Sequence, residues 1–398
     1  MKIVFLDAKT IGDDIDLSGF DSLGEVTKYN FTTPEEAPER VKDADVLIIN
    51  KVPINENTVG TAKNLKLVCV TATGTNNLDK DYLDSHKIAW RNVAGYSTET
   101  VTQHTFAMLF YLLEKLRYYD DYVKDGNYIN DTSFTHFAEH FSEINGKTWG
   151  IIGLGAIGQL VANAATHLGM EVYGYDPYIS VNAAWNLSRS VKHISNVEDI
   201  YKNCDVITIH VPLLDSTKKM INADAIAMMK PTAIVLNFAR DLLVDEEAMV
   251  DALAKGKVKK YVSDFPNNTT VGAKGCIVTP HLGASTAESE DNCAVMAVKE
   301  LRDYLENGNI VHSVNFPDCS MGACTASGRV GILHKNVKGM IGQITTALAE
   351  ADINVSDLTN KGKGDYAYSL LDLDSAIDAS TVEKLSAIDG VLRVRVIK

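Results

Sequence analysis

At 398 residues the chain is too long for one ordinary domain, so two or three are expected. A net charge of −14 opposes nucleic-acid backbones and anionic membranes as main partners, although a few local cations can still bind an anionic substrate. Mean hydropathy is −0.05 and no apolar run approaches the roughly 18 residues that a membrane span requires.

The opening apolar run meets Asp7 too early for a secretory segment and reads as a first strand over 3–6. Further strand-length apolar runs at 46–49 and 67–70, separated by polar turns and helical stretches, imply parallel strands with crossover helices. A helix is expected over 98–122, where Phe106, Leu109, Leu112, Leu113 and Leu116 recur at helical spacing. A second α/β series starts at Thr148, with strands expected at 150–152, 171–175, 205–210, 233–237, 261–263 and 277–278. That series fits a doubly wound nucleotide-binding domain. An amphipathic helix over 288–307 leads away from it, and the Pro-, Gly- and Ser-containing stretch 309–328 reads as a linker. Beyond it, strands at 330–333, 353–357, 366–373 and 391–396 alternate with helices in the order of a ferredoxin-like βαββαβ unit. The six cysteines are scattered without a CxxC spacing; reduced structural thiols, a cytoplasmic location and no metal are expected.

Gly153-Leu154-Gly155-Ala156-Ile157-Gly158 follows the apolar strand 150–152 and opens a helix. The glycines serve a tight turn, close backbone approach to a pyrophosphate and helix-on-strand packing, with the phosphates on the helix N-terminus. Asp176 ends the next strand, 18 residues after Gly158, where a carboxylate accepts from both ribose hydroxyls and repels a 2′-phosphate. NAD is therefore expected rather than NADP. At later strand ends stand Asn237-Phe238-Ala239-Arg240, Ser263-Asp264-Phe265-Pro266 and Thr279-Pro280-His281. Oxidising a secondary alcohol needs a base that works near neutral pH, which histidine supplies, and arginine suits a substrate carboxylate.

GLGAIG at 153–158, YGYDPY at 173–178, HVPLLDST at 210–217, NFARDLLVDEEAM at 237–249 and TPHLGAST at 279–286 together resemble the D-isomer-specific 2-hydroxyacid dehydrogenases, the phosphoglycerate branch in particular. The resemblance implies that Arg240 binds and polarises the 2-oxo acid and that His281 is the general acid/base. It places Asp264 toward the nicotinamide and His210 and Pro212 with the cofactor-binding set. Two departures stand out. Asp241 replaces a usual glycine, and the segment after Asp264 lacks the glutamate that commonly orients the histidine. Either another acid, Asp264 among the candidates, supports His281, or it works without one.

Residues 1–145 resemble the glycerate/hydroxypyruvate branch through Asn50-Lys51-Val52-Pro53, TATGTNN at 71–77 and GYST at 95–98. That likeness implies a flavodoxin-like substrate domain in which Thr73 and Gly74 receive the substrate carboxylate and Lys51 lies at the mouth. A lysine there meets a phosphate as a point charge rather than a fork. The last 70 residues resemble an ACT domain through RVGILHKNVKGM at 329–340 and ADINV at 351–355, with Lys338 in place of the usual proline. By that resemblance His334, Asn336 and Asn354 ring an L-serine effector site, expected across a subunit interface formed by two paired tails.

The expected arrangement is a substrate domain at 1–98 joined by 288–316, a Rossmann domain at 99–287, a linker at 317–326 and an ACT domain at 327–398. The expected reaction interconverts D-3-phosphoglycerate and 3-phosphohydroxypyruvate, the first step of serine synthesis, in a homodimer or homotetramer. Glycerate/hydroxypyruvate dehydrogenase is the alternative, and a catalytically weak NAD-binding regulator is a second.

Overall fold

The computed structural model describes residues 1–12, 14–86, 88–139, 141–311, 313 and 317–398, without the side chain at 182. The end of the expected return segment 288–316 lies partly outside them. Two compact units form: 1–96 with 287–398, and 97–286.

In the first unit, a parallel sheet has the order β2-β1-β3-β4-β5, with β1 Lys2–Phe5, β2 Glu25–Lys28, β3 Val46–Ile49, β4 Leu67–Val70 and β5 Ala89–Asn92. The continuous apolar runs of β3 and β4 are buried on both faces, as parallel strands must be. β2 and β5 escape a periodicity reading because both carry charge. In β5 that charge is Arg91, buried and satisfied by Glu300 on the helix Ala287–Asn307. Its guanidinium donates to the Glu300 carbonyl (2.6 Å) and carboxylate (2.5 Å), tying the returning helix to the sheet edge. Cys293, Ala297 and Leu301 of that helix pack on Ile3, Phe5 and Ile48.

The same unit carries the chain's last segment. β13 Gly328–Lys335, β14 Val355–Lys363, β15 Tyr366–Leu373 and β16 Val391–Val396 form an antiparallel sheet in the order β14-β15-β13-β16. The helices Met340–Ala349 and Ala379–Ser386 cover one face through Val330, Ile332, Ile344, Leu348 and Leu385. The element order is the expected βαββαβ. Within the stretch expected as a linker, Cys319 is buried against Tyr368 and Leu370 and bridges to Ile310. Arg329 reaches the Asn307 and Gly322 carbonyls and pairs with Asp372.

The second unit is a parallel sheet in the order β12-β11-β10-β9-β6-β7-β8. Its strands are β6 Thr148–Ile152, β7 Glu171–Tyr175, β8 Lys192–His193, β9 Val206–Ile209, β10 Ile234–Asn237, β11 Lys260–Ser263 and β12 Cys276–Val278. Strand order reverses between β6 and β9, the switch point where doubly wound sheets bind ligands. The expected helix 98–122 is broken into Thr98–Leu113 and Leu116–Lys124 by Lys115 in the left-handed region (φ 53°). The second piece buries nothing, so no core contact enforces continuity. Among the described residues, no helix is long and apolar enough to cross a membrane.

Candidate active site

Every functional side chain expected in the second unit follows the carboxyl end of a parallel strand. After β6, Gly153 turns with φ 94°; a Cβ there would stand 2.6 Å from the His210 carbonyl oxygen, and one on Gly158 would stand 2.0 Å from the Gly153 oxygen. Packing alone therefore demands both glycines. At Gly155 a Cβ would meet nothing within 4 Å, so this middle glycine faces open space, where a pyrophosphate has to approach. Gly155 is also the N-cap of the helix Ala156–His167 and gives its first-turn N–H groups no side-chain cap. Ala156 and Ile157 lie in that turn, whose amides are of the kind that can meet an anion.

Asp176, after β7, accepts from the Leu154 N–H (2.9 Å) and the Tyr178 N–H (2.9 Å), which pins the glycine loop and leaves other lone pairs for ribose hydroxyls. These residues fit a dinucleotide. His210, after β9, donates its N–H to the Ile152 oxygen (2.7 Å) and floors the glycine turn. Its Nε2 is enclosed without a partner among the described residues, and burial pushes its pKa down to about 4. Pro212 follows at the same edge, exposed, its carbonyl accepting the Thr217 hydroxyl (2.6 Å).

Arg240 is half-buried after β10. The buried Asn237 side chain accepts from the Ala239 N–H (3.2 Å) and donates to the Arg240 carbonyl (2.7 Å), so it staples the loop that carries the guanidinium. His281, after β12, is exposed and holds φ 59°, a left-handed conformation uncommon for a side-chain-bearing residue. Asp264, 1% exposed, holds that loop. Its carboxylate accepts from the Thr279 hydroxyl (2.7 Å), the Leu282 N–H (2.8 Å) and the Gly283 N–H (2.6 Å). The Phe265 ring meets the His281 ring edge-on at 4.9 Å. A Cβ on Gly283 would come within 2.9 Å of the Asp264 carboxylate, so only glycine fits.

The segment that lacks the family glutamate folds as a tight asparagine turn. Asn267 accepts from the Thr269 and Thr270 N–H groups and turns its amide to Glu246. Glu246 also accepts from the Tyr261 hydroxyl, and burial raises its pKa.

His104 was not singled out from the sequence. It lies edge-on to Phe238 at 4.8 Å, near Asp264, with its Nε2 enclosed and unpartnered among the described residues; burial lowers its pKa, against the opposing pull of Asp264. Asn237 was also missed as a separate signal, although it opens the NFAR motif.

In the first unit, Lys51 follows β3 and Thr73 and Gly74 follow β4, so all three stand at one carboxyl edge. Buried Asp7 holds the Lys51 loop by accepting from the Asn50 (2.8 Å), Lys51 (2.6 Å) and Val52 (3.1 Å) N–H groups. Thr73 donates its hydroxyl to the Val93 carbonyl, and Asn92 donates to the Thr73 carbonyl. The Lys51 ammonium remains exposed.

Within one chain the three expected effector residues are not brought together. His334 pairs with Ala367 on β15, whereas β14 pairs Val355, next to Asn354, with Leu373. Six residues of strand separate these positions by about 20 Å. His334 is buried, one ring nitrogen on the Lys335 carbonyl (2.8 Å) and the other on Ser369 (2.9 Å) and Asn360 (3.2 Å). Asn336 donates to the Gly364 carbonyl, and the Asn354 N–H donates to Asp374.

Residues 106–283 match the family model described as D-isomer specific 2-hydroxyacid dehydrogenase, NAD binding domain. The chain is 33% identical over 326 residues to a hydroxypyruvate reductase of Blautia hydrogenotrophica, covering 79% of this chain and all of that protein. It is 34% identical over 314 residues to a glycerate dehydrogenase of Methylorubrum extorquens, covering 76% and 96%. A D-3-phosphoglycerate dehydrogenase of Haemophilus influenzae aligns at 28% identity over 375 residues, covering 91% of this chain and 89% of that protein. Among solved structures, the NAD-bound 3-phosphoglycerate dehydrogenase of Entamoeba histolytica superimposes with a TM-score of 0.64 at 24% identity, covering 79% and 98%. At that identity the structural likeness establishes the fold alone.

Proposed function

Since the chain belongs to the D-isomer-specific 2-hydroxyacid dehydrogenases, a family of NAD-dependent enzymes, we propose that its own substrate pair is D-3-phosphoglycerate and 3-phosphohydroxypyruvate. The observation that carries this reading is the reach of the alignment. The H. influenzae phosphoglycerate enzyme covers 91% of the chain, leaving about 36 residues outside, fewer than the 72 of the segment 327–398. The hydroxypyruvate and glycerate relatives cover 79% and 76%. That segment resembles an ACT domain, a regulatory module with a purpose on an enzyme that begins serine synthesis.

In the proposed mechanism NAD, when bound, supplies the acceptor for the hydride that leaves C2. Arg240 grips the substrate carboxylate and polarises the C2 oxygen as it becomes a carbonyl. His281 takes the hydroxyl proton as base and returns it in the reverse direction. Asp264 acts as a positioning residue through the backbone of the His281 loop. Lys51 receives the distal phosphate as a point charge. L-serine is the proposed effector, and since one tail keeps Asn354 far from Asn336, its site needs two tails of a homodimer or homotetramer.

A second reading rests on the higher identity to the hydroxypyruvate and glycerate enzymes and on Lys51 as the single cation of its segment: the substrate is then unphosphorylated glycerate. Steady-state kinetics with NAD on 3-phosphoglycerate, D-glycerate and D-lactate separates them. The proposal expects 3-phosphoglycerate to have the highest kcat/KM, and a higher value for D-glycerate overturns it.

A further inference from the structure

The carboxyl ends of β10, β11 and β12 stand side by side in their sheet and lead in turn to Arg240, Asp264 and His281. Neighbouring strands lie about 4.8 Å apart, so the two outer loops start roughly 10 Å from each other across the middle strand. Asn237 fixes the Arg240 loop and Asp264 fixes the His281 loop, but neither set of bonds spans from one of these loops to the other.

His104, in the helix Thr98–Leu113, does span them. Its ring meets Phe238, two residues before Arg240, edge-on at 4.8 Å and 77°. Its Cδ2 stands 3.6 Å from where a Cβ on Gly283 would be, two residues after His281. The Asp264 carboxylate lies beside that same point and acts electrostatically on the imidazole. One side chain therefore reaches the Arg240 loop, the His281 loop and the carboxylate between them. The helix face that presents it is tied to the same region: Thr100, one turn earlier on that face, shares a hydrogen bond with Thr286 at 3.2 Å.

The ring works by shape. Its Nε2 is enclosed and has no partner among the described residues, so that atom touches neither substrate nor cofactor. Burial keeps the imidazole neutral near neutral pH, which leaves the Asp264 charge to its three donors in the His281 loop.

We infer that His104 is a positioning residue of the dehydrogenase reaction, an aromatic wedge that sets the spacing between the Arg240 and His281 loops. A 2-oxo acid has to meet the guanidinium and the imidazole at once, so the distance between those loops enters the reaction geometry directly. The inference rests on the roles proposed above for Arg240 and His281, but not on the choice of substrate.

The test is steady-state kinetics on the full chain, with NAD and whichever of 3-phosphoglycerate, D-glycerate and D-lactate turns over fastest. His104→Ala empties the wedge and should lower kcat at least roughly tenfold, since small misplacements of reacting groups are costly. KM for NAD should stay within about twofold, and fluorescence titration should still show full NAD binding, which separates misalignment from unfolding. His104→Leu, close to imidazole in volume, should recover much of the lost turnover. Combining His104→Ala with Phe238→Leu should cost less than the product of the two single losses, because both remove the same contact. Turnover within about twofold of wild type in His104→Ala overturns the inference. So does a loss of NAD binding that matches the loss of kcat, or a His104→Leu variant no better than His104→Ala, which would assign the effect to the ring nitrogens. His281→Ala, assayed alongside, reports separately on the reading beneath it.

Discussion

Asp264→Asn changes one oxygen to an NH2 group at constant volume, and the geometry shows what that does. The carboxylate takes three donors from the segment 279–283. At about 1.5–3 kcal/mol per bond to a charged acceptor, the clamp exceeds the roughly 1–3 kcal/mol cost of holding a residue such as His281 left-handed. An asparagine keeps the oxygen facing Thr279 and Leu282 but sets an NH2 against the buried Gly283 N–H. One charge-assisted bond is lost and a donor is stranded, a destabilisation of about 2–3 kcal/mol. For a unit of this size that lowers Tm by roughly 5–10 °C. The clamp no longer outweighs the strain by a wide margin, so the loop relaxes and kcat falls roughly tenfold or more, since small misplacements of a catalytic group are costly. Thr279→Val, which removes one donor from the same carboxylate, should show a smaller change in the same direction. Thermal unfolding and steady-state kinetics read both quantities, and KM for NAD should stay within about twofold. A variant with wild-type Tm and kcat would refute the clamp.

His281→Ala should cut turnover by roughly 10²–10⁴-fold while NAD affinity, measured by fluorescence titration, stays nearly intact; unchanged turnover would assign the proton to another group. Asp176→Ala should narrow the preference for NAD over NADP and also raise KM for NAD, because the Leu154 N–H loses its acceptor; a preference equal to wild type would contradict the assignment. The His210 ring titrates near 4 in the folded chain because burial penalises its cation, against 6.5 unfolded. A depressed histidine leaves stability complete above pH 6.5 and removes up to about 3 kcal/mol as pH falls toward 4, since only the unfolded chain takes the proton. Urea unfolding at pH 7 and pH 5 should therefore show a smaller loss for His210→Asn than for wild type.

Much of the second unit was legible because its signals are local. An apolar strand, three glycines and an acid at the next strand end fall within one short segment, and each strand-end motif follows a short, mostly apolar run. What stayed hidden depends on partners distant in sequence. β5 contains a buried arginine that only Glu300, 209 residues later, renders tolerable. Asn237 is one more polar residue until its amide is seen holding Arg240. In the tail too the placement depends on distant pairing: antiparallel strands send His334 and Asn354 to opposite ends of the sheet. The stretch 317–326 has a linker's composition, yet Cys319 packs on Tyr368 and Leu370 and the Gly322 carbonyl accepts from Arg329.

One physical device recurs in both units. Where a parallel strand ends, the backbone N–H groups of the following loop lose their ladder partners and must be satisfied if buried. At four such ends the acceptor is a side chain held by the sheet: Asp7 for the Lys51 loop, Asp176 for the glycine loop, Asn237 for the Arg240 loop and Asp264 for the His281 loop. Satisfying those amides fixes each loop, and a fixed loop aims the side chain that it carries. Rigid aim does not require the acid to touch the imidazole. A carboxylate that grips Leu282 and Gly283 by their amides sets the direction of His281 through the main chain, which is how a segment lacking the usual glutamate can still present an oriented histidine.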